Sequence, residues 1–159
     1  MAVYFWDSNA IAKIYHAEIG TTIATKLFRD IGAVHVISRL STVEVISTIT
    51  KLLRMKVIKR QNFDRIYRRF LRDINFKKWR VATFKVAHFD RARALLRKHG
   101  KQYSLRTLDS LQLAVSVAVH DKLTITNFIS SDKILNKIVE MEGISVLDPE
   151  EIERQRISP

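Results

Sequence analysis

Short apolar runs alternate along this chain with longer stretches that are apolar on one face only, and the two patterns separate strands from helices. Val3-Tyr4-Phe5-Trp6, Val34-His35-Val36-Ile37, Trp79 to Phe84, Leu123 to Ile129 and Ile144-Ser145-Val146-Leu147 are short and mostly β-branched or aromatic, so they read as buried strands. Ser8 or Asn9 caps a helix through Ile14 and Tyr15, a second helix runs from about Thr21 to Ile31, and Ser41-Thr42-Val43-Glu44 opens a long one that reaches about Met55. Between Lys59 and Ile74, Phe63, Ile66, Tyr67, Phe70, Leu71 and Ile74 recur at the spacing of one helix face, with Tyr67 and Phe70 packing inward. Arg65, Arg68, Arg69 and Arg72 fall on the other face. His88 to Lys98 is a helix closed by Gly100, Leu108 to Val119 a helix too apolar to be exposed, and Ser130 the start of another. Alternation of strand and helix predicts βαβ units around a central parallel sheet, an α/β fold.

Four carboxylates stand where these apolar runs give way to helix starts: Asp7, Glu44, Asp109 and Asp132. In an open parallel sheet the strand C-terminal ends and the helix starts that follow them share one edge, where ligands bind. The four acids are therefore expected to converge. Two carboxylates about 4 Å apart repel by roughly 4 kcal/mol at an effective dielectric near 20, so such a cluster takes up protons or recruits a divalent cation. Each acid also has an ordinary explanation. Glu44 completes Ser-x-x-Glu, the capping-box pattern; Asp109 and Asp132 suit the positive end of a helix; Asp7 could itself be a cap. Capping does not compete with metal binding, since a helix amide can orient a carboxylate whose other oxygen faces an ion.

Composition narrows the chemistry. The chain has 159 residues, four Gly, two Pro and no Cys, enough for one core without staples and with no thiol nucleophile or zinc knuckle. One domain over residues 1–148 is expected, with a charged tail over residues 149–159. The apolar opening MAVYFW is cut off by Asp7, and no run approaches the ~20 apolar residues of a membrane span, so a soluble, cytoplasmic protein is expected. The five His form no metal-binding pair, the Gly stand singly rather than in a phosphate loop, and no G-x-S-x-G elbow is present. The net charge of +12 is unevenly spread. Residues 51–106 carry 19 Lys and Arg against Asp64, Asp73 and Asp90, or 19 − 3 = +16, which leaves −4 for the rest. A basic middle beside an acidic edge suits a polyanion held against a metal site, and Arg68, Arg69 and Arg72 are the candidate phosphate contacts.

Four blocks then carry a resemblance: Tyr4-Phe5-Trp6-Asp7-Ser8-Asn9-Ala10-Ile11-Ala12-Lys13-Ile14-Tyr15, Ser41-Thr42-Val43-Glu44-Val45, Leu105-Arg106-Thr107-Leu108-Asp109-Ser110-Leu111-Gln112-Leu113-Ala114 and Ile129-Ser130-Ser131-Asp132-Lys133-Ile134-Leu135. In this order the chain resembles PIN-domain ribonucleases, especially the VapC-type toxins of toxin–antitoxin modules. The resemblance implies a PIN-like three-layer α/β/α sandwich with a central, mostly parallel sheet of about 4–5 strands. It implies an endoribonuclease that holds Mg²⁺ or Mn²⁺ on Asp7, Glu44, Asp109 and Asp132 and leaves a 5′-phosphate. A cognate antitoxin and a homodimer are implied in the same way. Asp7 and Asp109 are the expected direct ligands, Glu44 and Asp132 bind a second ion or activate water, and Asn9 and Ser130 donate hydrogen bonds to the carboxylates. Many members have Ser or Thr where this chain has Asn9; an amide can make the same bond. The other readings are a nontoxin PIN nuclease in RNA maturation, a non-catalytic basic RNA-binding module, and a receiver-like domain, the last opposed by the missing second Asp after Asp7.

Overall fold

The structure is a computed structural model that describes residues 1–157. In chain order its elements are β1 (Val3–Trp6), α1 (Ser8–Tyr15), α2 (Thr21–Phe28), β2 (Val34–Ser38), α3 (Arg39–Arg54), α4 (Arg60–Asn75), β3 (Arg80–Ala82), α5 (Val86–His99), α6 (Thr107–Leu123), β4 (Asn127–Ile129), α7 (Lys133–Met141), β5 (Val146–Leu147) and α8 (Pro149–Ile157). The five strands form one sheet in the order β3-β2-β1-β4-β5, and every pairing is parallel. The expected three-layer α/β/α sandwich is what forms. The alternation along each strand sets the layers. Val3 and Phe5 of β1, with Val34 and Val36 of β2 and Phe128 of β4, join the core under α5, α6 and α7. Trp6, Ile37 and Ile129, one residue out of phase, join the core under α1 to α4.

From β1 the chain steps to β2 and β3 on one side, then returns to place β4 on the other side of β1. The strand order thus reverses between β1 and β4, and in open parallel sheets ligands bind at such a reversal, beyond the strand C-terminal ends. The Asp7 amide bonds the Ile129 carbonyl at 3.0 Å and carries the β1–β4 pairing one residue past the end of β1.

Several boundaries differ from the sequence expectation, each for a local reason. α3 starts at Arg39, because Ser38 at the end of β2 is the cap and its hydroxyl accepts the Ser41 amide at 3.0 Å. Glu44 then lies in the second helical turn, so the Ser41–Glu44 capping box does not form. At α1 the cap is Asp7, which accepts the Ser8 amide at 2.7 Å; Ser8 and Asn9 are already helical. Asp132, not Ser130, caps α7. The predicted strand Trp79 to Phe84 contracts to Arg80–Ala82, opposite Val36 to Ser38, while Trp79 turns into the core. The predicted strand from Leu123 loses its start to α6, whose last turn (His120, Asp121, Lys122) is polar and gave no apolar periodicity.

From Pro149 to Ile157 the chain forms α8, which packs on α2; residues 158–159 lie outside the described residues. Pro at a first helical position removes an amide that has no partner there. Lys13, 2% exposed, holds α8 in place through Glu150 at 2.6 Å and also pairs with Glu18 at 3.3 Å. The Gly20 amide, in a left-handed turn at φ 92°, donates to Glu153.

Candidate active site

Each of the four acids is positioned by backbone. Asp7 follows β1 directly and is 6% exposed. Its Oδ1 accepts the Ser8 amide and the Gln112 side-chain amide, and its Oδ2 accepts the Ser130 hydroxyl at 3.1 Å. Asp109 is the third residue of α6 and Glu44 sits on α3, both half-buried. Asp132 accepts the Ile134 and Leu135 amides on one oxygen at 2.9 and 3.0 Å. Asn9 and Ser130 tie the Asp132 loop to Asp7. The Asn9 side chain donates to Ser130 Oγ at 3.3 Å and accepts the Ser131 amide at 3.1 Å, while Ser130 Oγ also accepts the Asp132 amide.

The carboxylates act on one another. Burial pushes the Asp7 carboxyl up to about 6, and the Asp109 charge adds to the rise against the hydrogen bonds from Ser8, Ser130 and Gln112. Glu44 is pushed up to about 7 by burial, then by Asp7 and Asp109, with the Ser8 hydroxyl working the other way. Asp109 is raised by burial and by Asp132, and lowered by Arg106. The chain of repulsions links all four acids, though they span residues 7 to 132.

Among the described residues, no three His, Asp or Glu side chains stand close enough to share one ion as they are placed. The acids are neighbours in the fold rather than a closed coordination shell. The donor set still fits a hard divalent ion. It consists of carboxylate, hydroxyl and amide oxygens with no sulfur, and one of its atoms, Glu44 Oε2, is buried with no hydrogen-bond partner. A buried carboxylate oxygen left unpaired is unfavourable, and a cation removes the penalty.

Gln112 is the residue that sequence reasoning missed. It is 1% exposed, its oxygen accepts the hydroxyls of Ser38 at 2.7 Å and Ser41 at 2.8 Å, and its amide nitrogen donates to Asp7. Those two acceptor bonds fix which way the side-chain amide points, so the end of β2 and the start of α3 together aim a donor at Asp7. The signal was present as a lone amide in the apolar run from Leu111 to Val115, three residues after Asp109.

Away from the acids, Arg65, Arg68, Arg69 and Arg72 line an open cleft of about 460 Å³ on α4, and Arg69 lies 5.2 Å over the Tyr15 ring. Phe70 is fully buried, as its place in the apolar face predicts. Tyr67 is not: it is 38% exposed and stacks on Phe63, at the rim of a groove of about 620 Å³ between α3 and α4 that also includes Val43, Ile46 and Leu71. The apolar arc of α4 is wider than the surface the core covers.

The family described as PIN domain matches residues 4–148. No curated protein matches the chain. Solved structures do. PAE2754 from Pyrobaculum aerophilum superposes with a TM-score of 0.63 at 14% identity, covering 97% of this chain and 94% of that one. VapC20 from Mycobacterium tuberculosis, described as a Sarcin-Ricin loop cleaving toxin, gives 0.61 at 18% identity over 84% of this chain and 93% of that one. A toxin-antitoxin complex from Klebsiella pneumoniae gives 0.58 at 16% identity, with 94% and 98% covered. At these identities the likeness is one of fold.

Proposed function

The chain belongs to the PIN domain family, and on that premise we propose that it is a metal-dependent endoribonuclease, the toxin of a toxin–antitoxin pair. The observation that carries the reading is the site's unresolved charge. Asp7 and Glu44 are held in the fold with their carboxyls pushed up to about 6 and 7, and Glu44 Oε2 is buried without a partner. A module that only bound RNA would gain nothing from burying acids at that expense.

Mg²⁺ or Mn²⁺ is the group that fits, on Asp7 and Asp109 with Glu44 and Asp132 alongside. When bound, it would supply positive charge to the scissile phosphate and the leaving oxygen. The rest of the work falls to the chain's own residues. Ser130, Gln112 and the Ser8 amide hold both oxygens of Asp7 in one orientation, and Asn9 holds Ser130. With the ion facing Glu44 Oε2, the other carboxylate oxygen of Glu44 is suited to take a proton from the attacking water. The water oxygen bonds to phosphorus, the bond to the 3′ oxygen breaks, and that oxygen takes a proton from solvent, leaving a 5′-phosphate.

The test is cleavage of structured RNA by the purified chain. EDTA and, separately, Asp109→Asn are expected to abolish it with the far-UV spectrum unchanged. Cleavage that survives either treatment sinks the reading. Toxicity in the presence and absence of the adjacent reading frame separates a toxin from a nuclease of RNA maturation, whose site chemistry is the same. An antitoxin segment would lie in the groove between α3 and α4, where Val43, Tyr67 and Leu71 are exposed. A homodimer and a cytoplasmic setting belong to the same proposal. Among the described residues no helix is long and apolar enough to cross a membrane.

Two further results are expected. Gln112→Leu leaves Asp7 without an aimed donor and should lower cleavage about 10–100-fold, with the half-saturating metal concentration raised. A purely structural role would lower the melting temperature and leave the metal titration of the folded fraction unmoved. Arg68→Ala with Arg72→Ala should weaken RNA binding and flatten its logarithmic salt dependence by about 1.4, at about 0.7 per phosphate contact on a single strand. An unchanged slope in anisotropy titrations removes these arginines from the footprint.

A further inference from the structure

At the other end of the sheet from the carboxylates lies a cleft of about 500 Å³, bounded by the end of α2, the start of β2 and the turn after α4. Ala33, Val34 and His35 at the start of β2 and Arg80 at the start of β3 line it, with Ala33 just before the strand, so it sits at strand N-terminal ends, whereas the acids stand beyond strand C-terminal ends. The five residues of β2 separate the two places by about 16 Å at about 3.3 Å per residue.

Five cations reach this cleft: Arg29, Arg69, Lys77, Lys78 and Arg80, all exposed. Lys78 has a partner in Asp73 at 3.2 Å, and Arg69 lies over Tyr15. Among the described residues, Arg29, Lys77 and Arg80 have no carboxylate within 4.0 Å. The acid lining the cleft is Asp30, whose Oδ1 accepts the Gly32 amide at 2.9 Å. Apolar side chains are interleaved with this charge. Phe76 is 73% exposed, and Ile31 is fully exposed. Lys77, between Phe76 and Lys78, is held at φ 57°, a left-handed conformation that Gly would adopt more easily.

Cations with an exposed aromatic ring among them form the surface that a single nucleic-acid strand takes up, with phosphates on the charges and a base on the ring. Arg69 belongs both to this cleft and to the α4 arginine cleft, so the two join in one cationic track. We propose that the cleft at the N-terminal end of the sheet is an RNA exosite, with the phosphodiester backbone on Arg29, Lys77 and Arg80 and a base on Phe76. The inference rests on RNA being the substrate, as argued above, and extends the footprint beyond the α4 arginines. An acidic polypeptide would use the same cations but has no need of the ring.

The test uses the full chain in EDTA, with fluorescein-labelled oligouridylate followed by anisotropy over a range of salt. Two variants are compared with the unchanged chain: Phe76→Ala/Lys77→Ala/Arg80→Ala, and Arg29→Glu, a single change at an exposed position that guards against misfolding of the first. The triple variant is expected to bind about tenfold more weakly, with the salt slope flatter by about 1.4 for two lost phosphate contacts. Arg29→Glu should weaken binding in the same direction, and hydrolysis of bis(p-nitrophenyl) phosphate in Mn²⁺ should be unchanged in both. Affinity and slope equal to the unchanged chain in both variants would overturn the inference. So would polyglutamate that displaces the oligonucleotide as well as unlabelled RNA does at equal charge, since the cleft would then belong to an acidic protein. Binding in EDTA is read without cleavage. A chain that binds through the cleft yet cuts nothing sinks the nuclease reading alone, and one that cuts while its variants bind normally sinks the exosite alone.

Discussion

Asp7→Asn is expected to abolish RNA cleavage, by about 10³-fold or more, and to make the metal-free chain more stable. The two effects share one cause. Asp7 is buried at the end of β1 with a carboxyl pushed up to about 6 from 3.8, so ionising it in the folded chain is unfavourable. That difference is about 2 pH units, or about 3 kcal/mol at 1.36 kcal/mol per unit, and above pH 6 the whole of it weighs against folding. Asn keeps the size and an oxygen for the Ser8 and Gln112 amides. It gives up the bond from Ser130, whose Oγ already accepts from Asn9 and Asp132, a loss of about 1 kcal/mol that is smaller than the penalty relieved. The variant loses the charge that a cation needs and the penalty of keeping that charge dry. Denaturant unfolding at pH 8 in EDTA, run beside a cleavage assay, reads both. A variant less stable than the parent would show that Asp7 contributes to folding as an ordinary helix cap.

The second expected result is a fall in stability of the metal-free chain as pH rises toward neutrality, recovered when Mn²⁺ is added. For Asp7 the folded value lies above the unfolded one. Below pH 3.8 both states are protonated and the penalty is absent; between 3.8 and about 6 the folded state holds more protons, so stability declines; above that the loss is complete. Glu44 acts in the same sense between 4.5 and about 7, and Asp109 in the same direction. His35 and His88, lowered chiefly by burial, oppose them below the ordinary histidine range, as does Glu142, which is lowered by its bonds to Lys98 and His99 in spite of burial. The site's share is therefore read as parent minus Asp7→Asn/Glu44→Gln. At about 2–4 °C per kcal/mol, the Asp7 share alone shifts the melting temperature by about 6–12 °C. Parallel pH profiles for parent and variant would mean that the acids carry no penalty, and the case for a cation would go with it.

The proposed acids were legible in the sequence because Asp7 directly follows a strand four residues long and Asp132 comes three residues after the end of another, at the start of a helix. What misled was also local. Ser41-x-x-Glu44 has the capping-box spacing, yet Ser38 ends β2 and takes the cap first, which frees Glu44 to face the other acids. Tyr67 has the periodicity of a core residue but lies beyond the edge of what α3 covers. Gln112 carries no periodic signal at all, since its partners come from three elements that are distant in the chain.

The order of consecutive residues was enough for the strand and helix alternation, the parallel α/β class, the basic middle of the chain and the choice of the four acids proposed as the site. Each of these is a property of neighbours in sequence: a period, a spacing or a sum of charge. Packing alone decided that Ser130 and Asn9 tie residues 7 and 132 together, that Gln112 reaches Asp7, and that Arg69 joins two basic clefts into one track. It also decided how acidic Asp7 and Glu44 are, because a carboxyl's ionisation depends on the water and the charges within a few ångströms of it, and those are supplied by the rest of the fold.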